Sequence, residues 1–180
     1  WGGEHLLGTD QIGRDILSRL IFASRNTLGI CFLACTIALF IGTIFGIIAA
    51  IDRSYIDQIL SRSIDTLMAI PVMIFTFILL SVFGPSNLNL ILILGVLEST
   101  RFFRISRSVA VGQVVLEYVE VAKLRGEKLS YIIFREILPN IASPLIVEFG
   151  VRFIFIIFTV SSLSFLGLGI QPPAADWAAM

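Results

Sequence analysis

The chain is 180 residues long, 57% hydrophobic and 14% charged, with 13 basic and 13 acidic residues. A soluble domain of this size cannot bury so much apolar surface in one core, so composition points to the membrane class. The charges cancel and give no reason to expect nucleic acid or an acidic macromolecule as a partner.

The segment begins at Trp1 and ends at Met180 soon after a Pro-Pro pair, and is read as part of a longer membrane protein. His5 has no Cys or His neighbour to form a ligand cluster and is expected at the surface. Thr9 to Ile21 reads as a capped amphipathic helix with Ile12, Ile16, Leu17, Leu20 and Ile21 on one side. It is expected to lie along the membrane surface, making residues 1–25 a leader to the first span.

Asn26 to Ile51 contains no charged residue. At about 1.5 Å per residue it is long enough to cross a hydrocarbon core about 30 Å thick. Cys31 and Cys35 share a helix face there, where a disulfide is not expected and two thiols alone make a poor metal site. Gly42 and Gly46 either let another helix approach closely or are incidental glycines facing lipid.

Thr66 to Leu97 is also free of charge, interrupted by Gly84-Pro85-Ser86-Asn87, a turn signal. The spacing predicts one span from about Asp65 to Phe83, kinked at Pro71, and another starting near Leu88. Leu88 to Leu97 is too short to cross alone, so that helix is expected to continue through Glu98, Arg101, Arg104 and Arg107. Arg104 and Arg107 read as snorkelling to the interface. Glu98 and Arg101 either snorkel too or face a bundle interior or wet cavity. The last span is expected from Pro139 to Leu166, with Pro144 tolerated in its first turns. Glu148 and Arg152 are spaced to pair on one helix face. Gly167 to Gly169 and Pro172-Pro173 end it.

Lys and Arg mark the cytoplasmic side. Arg101, Arg104, Arg107, Lys123, Arg125, Lys128 and Arg135 lie between the last two spans, and the opposite loops hold none. That stretch is therefore expected inside and residues 1–25 outside, although Arg14, Arg19 and Arg25 run against the rule at that end. Within it, Glu117 to Arg125 reads as a short helix with Val119, Ala122 and Val121 on its apolar side. Gly126 turns the chain, and Lys128 to Ile137 reads as a second helix with Leu129, Ile132, Ile133 and Ile137 as its apolar side. The pair forms a knob with a small apolar face and a charged rim, which suits docking; an ordinary loop on the membrane is the plainer alternative.

No phosphate-binding glycine loop, His/Cys metal cluster, serine elbow or nucleophile–base pair is visible. No catalytic residue, metal or cofactor is assigned, and the chain is not expected to be an enzyme.

Glu120-Val121-Ala122, then Gly126, then Ile137-Leu138-Pro139 resembles the EAA loop of inner-membrane permeases of binding-protein-dependent ABC importers. His5 to Arg19 is similar to the segment before the second span in the C-type permeases of dipeptide, oligopeptide and nickel importers. Ser162 to Gly169, with Gln171-Pro172-Pro173 and Trp177 to Met180, is similar to their segment after the fifth span. The resemblance implies an all-α, polytopic membrane bundle of the type-1 importer permease fold, with about four of six spans in this chain. Residues 26–180 would be a partial transmembrane domain, with 117–139 as its cytoplasmic coupling loop. It implies a multi-pass inner-membrane protein that passes peptides or a related solute, nickel complexes included. The partners implied are a second permease subunit, two ATP-binding subunits that hydrolyse ATP, a solute-binding protein and the bilayer. Glu120, Ala122, Gly126, Leu138 and Pro139 would belong to the ATPase contact. Glu98, Arg101, Glu148 and Arg152 would be pathway-facing charges. The middle residue of the triplet is Val121, Glu136 stands where the general motif has isoleucine, and Glu98 and Arg152 depart from common family residues, which leaves the solute open. The competing function is an ATP-independent channel or scaffold.

Overall fold

The computed structural model describes residues 6–10, 13–52, 55–170 and 175–177. Their regular structure is helical apart from one isolated bridge between Thr9 and Asp15. The expected surface position of His5 and the stop at Pro172-Pro173 fall outside the described residues.

Helix α1 runs unbroken from Ile16 to Asp52 over 37 residues. This corrects the expected helix from Thr9: only Ile16 to Ile21 of it is helical, and that part runs straight into the first span. The reason is local. No proline or turn pair interrupts the sequence, and Asp15 Oδ2 accepts the Ser18 amide at 3.0 Å, which fixes the start. Asp10 holds Arg19 at 2.5 Å and Arg14 at 3.1 Å, so a compact charged turn precedes the helix.

A second correction concerns Pro71. Instead of one kinked span there are two helices, α2 (Tyr55–Met68) and α3 (Val72–Phe83), meeting at an 86° bend. Proline supplies no amide hydrogen and pushes the preceding residue out of helical geometry, so the chain turns at Ala69-Ile70. Tyr55 to Arg62 is helical as well. Gly84, at φ 89°, then reverses the chain. Ser86 caps α4 (Asn87–Val114) by accepting the Asn89 amide, and the Asn89 side chain donates to the carbonyls of Phe83 and Gly84. Helix α4 does continue through Glu98 to Arg107, 28 residues in all.

The chain then folds into α5 (Glu117–Leu124), one α-helical turn α6 (Leu129–Tyr131), a π-helical stretch (Ile132–Ile137) and a short α7 (Leu138–Asn140). Pro139 explains the wide turn. It has no amide hydrogen to close onto the carbonyl four residues back, and just ahead of it Leu138 N–H donates to Ile133, five residues back. After a break at Ile141, α8 (Ala142–Phe165) completes the bundle.

Helices α1 and α8 are long and apolar enough to cross a membrane; α2 and α3 together would add a third crossing over their bend. Helix α4 has the length but carries the charges. Helices α1 and α4 form the tightest pair, and α8 packs on both. A methyl group added at Gly42 would overlap Ser99 and Phe102 of α4; one at Gly46 would overlap Ser106 and lie 2.7 Å from the Phe103 carbonyl. Gly95 of α4 meets Ile37 of α1 in the same way, at 2.8 Å. Of the two readings of Gly42 and Gly46, close helix approach is the one observed. Side chains such as Phe40, Phe77, Phe155 and Phe158 point outward, as expected where the surroundings are apolar.

Candidate functional site

Two groups of predicted residues are brought together, and they are separate. The first is the knob. Val119 and Ala122 of α5 are fully buried and belong to one apolar cluster with Ile132, Ile133 and Ile137. The residues next to them in α5 are exposed: Glu120, Val121, Lys123 and Leu124. Val121 is thus on the outer face, not on one side with Val119 and Ala122, and Leu129 is half exposed while Ile132, Ile133 and Ile137 are buried. Leu124 is 81% exposed and stands among charged neighbours.

Gly126 closes α5. Its φ is 74°, its amide donates to Lys123 at 3.0 Å, and the Glu127 amide donates to Ala122 at 3.2 Å. These two bonds define a glycine helix stop of the Schellman type. The same pair of bonds recurs at Gly167, whose amide meets Ser164 while Leu168 meets Leu163. Nothing lies within 4 Å of the place a Cβ would take at Gly126, so only the backbone demands glycine there. Tyr118 donates to Gln113 at 2.7 Å, linking α5 to the end of α4; burial, and then the nearby Glu136 carboxylate, push its hydroxyl pKa up.

Leu138 and Pro139 do not join this outer face. Leu138 lines an apolar groove of about 240 Å³ with Leu39 and Phe40 of α1 and Leu145 and Phe149 of α8. The predicted loop motif therefore divides into exposed residues (Glu120, Gly126, Pro139), a buried support (Ala122) and Leu138, partly buried against the spans.

The second group lies between α4 and α8. Arg152 Nε sits 2.7 Å from Glu148 Oε1, a charge contact rather than an aligned hydrogen bond, and Arg152 Nη1 sits 3.8 Å from Glu98 Oε2. Glu98 is 5% exposed, and its Oε2 has no hydrogen-bond donor. The guanidinium also lies 4.8 Å from the centre of the Phe155 ring. Two carboxylates thus share one guanidinium. Arg101 is exposed and takes no part in these ion pairs. The expected Glu148–Arg152 pairing is present; its extension to Glu98 was not expected, because residues fifty positions apart give no spacing signal. Nor was the role of Arg107, which does not snorkel: it grips Asp57 of α2 through two bonds of 2.5 and 2.6 Å. Arg104 faces Asp65 loosely at 3.5 Å. Asp176 was missed as well. It is buried against α1, where Thr27 donates to it at 2.8 Å. Both cysteines are free and buried, as expected of packing residues.

Among the described residues no group of His, Cys, Asp and Glu is arranged to hold a metal. Residues 42–180 match the family of binding-protein-dependent transport system inner membrane components. The chain belongs to that family. It is therefore a multi-pass inner membrane protein with the type-1 ABC permease fold. It is 36% identical over 177 residues to the dipeptide transport system permease protein DppC of Alkalihalophilus pseudofirmus, covering 98% of this chain and 58% of that protein. The glutathione transport system permease protein GsiD of Pectobacterium atrosepticum is 34% identical over 176 residues, 98% of this chain and 58% of its own length. The di/tripeptide transport system permease protein DppC of Pseudomonas aeruginosa is 32% identical over 181 residues, 99% of this chain and 60% of its own. The chain thus spans about three-fifths of the length of these relatives. All three are named as transport system permease proteins.

Proposed function

We propose that this chain is part of a permease subunit that passes peptides or a related solute inward, driven by separate ATP-binding subunits. The observation that carries the coupling half is the construction of the knob. Buried Val119 and Ala122 fasten α5 to the π-helical stretch, while Glu120, Val121, Lys123 and Leu124 face outward. A short rigid helix with Val121 and Leu124 one turn apart, rimmed by charge, has the anatomy of a docking surface. Leu138 packs beside Leu145 and Phe149 of α8 across the break at Ile141, which gives force on the knob a path to the spans. This favours the coupled permease over an ATP-independent channel or scaffold, which has no use for such a knob. In this reading residues 117–139 are cytoplasmic, residues 1–25 lie on the opposite side, and a second permease subunit and a solute-binding protein complete the importer.

The solute class rests on the relatives, whose names specify dipeptides, di- and tripeptides and glutathione. Nickel complexes have no such support here. Glu98, Glu148 and Arg152 are read as charges at the wall of the pathway, because burying charge in a span is costly and a role in transport or assembly would account for their presence. Arg101 is the weaker member of that set, since it stands outside the ion cluster.

The test is co-purification of the full-length subunit with a Walker-motif ATPase. Leu124→Asp should abolish capture while Phe165→Asp, an exposed change far from the knob, should not. Capture that survives Leu124→Asp undiminished would favour the plain-loop reading. Calorimetry on the partner solute-binding protein would name the solute.

A further inference from the structure

Helix α8 is held to α1 differently at its two ends. At the end away from the knob, residues 175–177 lie against the first turns of α1. Asn26 Nδ2 donates to the Ala175 carbonyl at 3.0 Å, Thr27 Oγ1 to Asp176 Oδ1 at 2.8 Å, and Trp177 Nε1 to the Leu20 carbonyl at 3.2 Å. Leu20 and Thr27 stand seven positions apart on one face of α1, so the contact extends over about two helical turns. Asp176 is 1% exposed, and among the described residues the Thr27 hydroxyl is the donor to its carboxylate. A hydrogen bond to an ionised acceptor belongs to the stronger class.

The chain between α8 and this contact is short. Beyond the glycine stop at Gly167, the Gly169 amide donates to the Leu163 carbonyl at 3.0 Å and the Ile170 amide to Ser164 Oγ at 3.1 Å. A Cβ at Gly169 would run into Ser164, and Ile170 is buried in the core cluster. The chain is therefore fixed to the last turn of α8 as far as Ile170. Five residue steps lead from there to Ala175, and they can span no more than about 17 Å. While residues 175–177 stay on α1, the end of α8 cannot leave it.

Toward the knob the contacts are of another kind. Midway, Phe32 meets Phe149 and Phe153 edge-on, and the Cys35 thiol, a weak donor, lies 3.6 Å from the Phe149 carbonyl. Nearer the knob the apolar groove lies between the helices, with Leu39 and Phe40 on one side and Leu145 and Ile146 on the other. On the flank of α8 that faces α4, Arg152 approaches Glu98 only to 3.8 Å. Apolar contact is non-directional and a long ion contact weakens gradually, so both permit sliding that directed hydrogen bonds oppose.

We propose that residues 175–177 form the fixed end of a hinge: α8 stays pinned to α1 there, with Asp176 as the positioning residue, and swings at its knob end when the importer turns over. The proposal rests on the reading of this chain as part of an ATP-coupled permease subunit. Leu138 meets α8 at the free end, so movement of the knob becomes a tilt of α8 about the pinned end and not a translation of the whole helix.

The experiment uses the full-length subunit in its assembled importer in liposomes, with the native cysteines replaced, Cys31→Ala and Cys35→Ala among them. Spin labels on Arg25→Cys and Phe165→Cys report the pinned end, and labels on Phe40→Cys and Ile146→Cys report the free end. Distances between labels are measured by EPR without nucleotide and with magnesium ATP and vanadate. The pinned pair should change by less than about 2 Å and the free pair by more than about 5 Å. Thr27→Val leaves the Asp176 carboxylate without that donor and should let the pinned pair move by more than about 5 Å. Asp176→Asn keeps an oxygen that accepts from Thr27 and should hold the pinned pair as wild type does. A wild-type pinned pair that moves as far as the free pair overturns the hinge. So does a pinned pair that stays fixed in Thr27→Val, or one that moves as freely in Asp176→Asn as in Thr27→Val, because either result removes the Thr27–Asp176 bond from the pin. If neither pair responds although ATP is hydrolysed, α8 does not swing and the hinge alone fails. If neither responds and the assembled complex hydrolyses no ATP, the coupled-permease reading fails and the hinge falls with it.

Discussion

Helix α4 presents two unlike faces to its neighbours. Toward α1 it is locked by shape: Gly42, Gly46 and Gly95 leave no room for a methyl group, and Ser106 Oγ hydrogen-bonds the Gly42 carbonyl at 3.2 Å. Toward α8 it is held by charge: Arg152 bridges Glu148 closely and Glu98 at 3.8 Å. Close packing of small residues fixes an interface, because backbone against backbone cannot yield. A long ion contact changes gently with distance, so the two helices can shift without a steric collision. The contrast assigns α1 and α4 to one rigid body and makes the α4–α8 seam the place where movement is tolerated.

The largest effect is expected from breaking the charged seam. Arg152→Ala leaves Glu98 and Glu148 buried without a counter-charge and should destabilise by about 3–5 kcal/mol. Uptake or assembly should suffer more than in Phe153→Ala. Replacing all three charges by Gln should cost less than Arg152→Ala alone, because no charge is then stranded. Unfolding of the full-length subunit in detergent, followed by circular dichroism, gives the comparison. If Arg152→Ala unfolds like wild type, the cluster does not hold the seam and its place in the pathway is also in doubt.

The glycine seam comes next. Gly46→Val would force its side chain into Ser106 and toward the Phe103 carbonyl, with a cost of about 2–3 kcal/mol. Gly150→Ala in α8 meets open space and should be neutral or mildly stabilising. Equal melting temperatures for these two variants would show that α1 and α4 are not interlocked as described.

The two seams also differ in how far they could be read beforehand. Gly42 and Gly46 are four apart on one helix, so local spacing marks the face. Glu148 and Arg152 are legible for the same reason. Glu98 with Arg152, Asp57 with Arg107 and Thr27 with Asp176 are pairings between distant elements, and no periodicity announces them. Pro71 announced a disturbance but not its size: the same residue kinks a helix whose neighbours hold it and ends one whose neighbours do not. The break between Met68 and Val72 is the second case. The knob was legible as two helices around a glycine, yet Val121 and Leu129 were grouped with residues that are buried, because apolar type was read as one shared face. In a docking surface that inference fails.

A smaller change is expected at the end of α5. Gly126 occupies left-handed geometry that a β-branched side chain resists, although no neighbour obstructs it. Gly126→Val should cost about 1–2 kcal/mol through the backbone alone. Gly126→Asn, which tolerates that region, should recover much of the loss. Matching losses in both variants would mean that a contact outside this chain, and not the φ angle, sets the requirement.

Glu120→Lys should barely touch the fold and still stop the machine. Glu120 is exposed, and among the described residues no ion pair or hydrogen bond of its side chain is seen, so stability should change by less than about 0.5 kcal/mol. The buried support beneath it, Val119 and Ala122, is unchanged by the substitution. What changes is the charge presented on the outer face of α5, where the proposed ATPase contact lies. Reversing it should repel any basic group that Glu120 meets. Transmission needs a contact whose strength differs between two states of the complex, so a weakened contact should uncouple hydrolysis from transport without dismantling the subunit. The variant is expected to insert, melt and receive loaded solute-binding protein as wild type does. In reconstituted liposomes it should lose both solute-stimulated ATP turnover and uptake. Glu120→Gln, which removes charge without reversing it, should fall between the two. Full stimulation and uptake in Glu120→Lys would remove this residue from the coupling contact and shift attention to the apolar pair Val121 and Leu124 beside it.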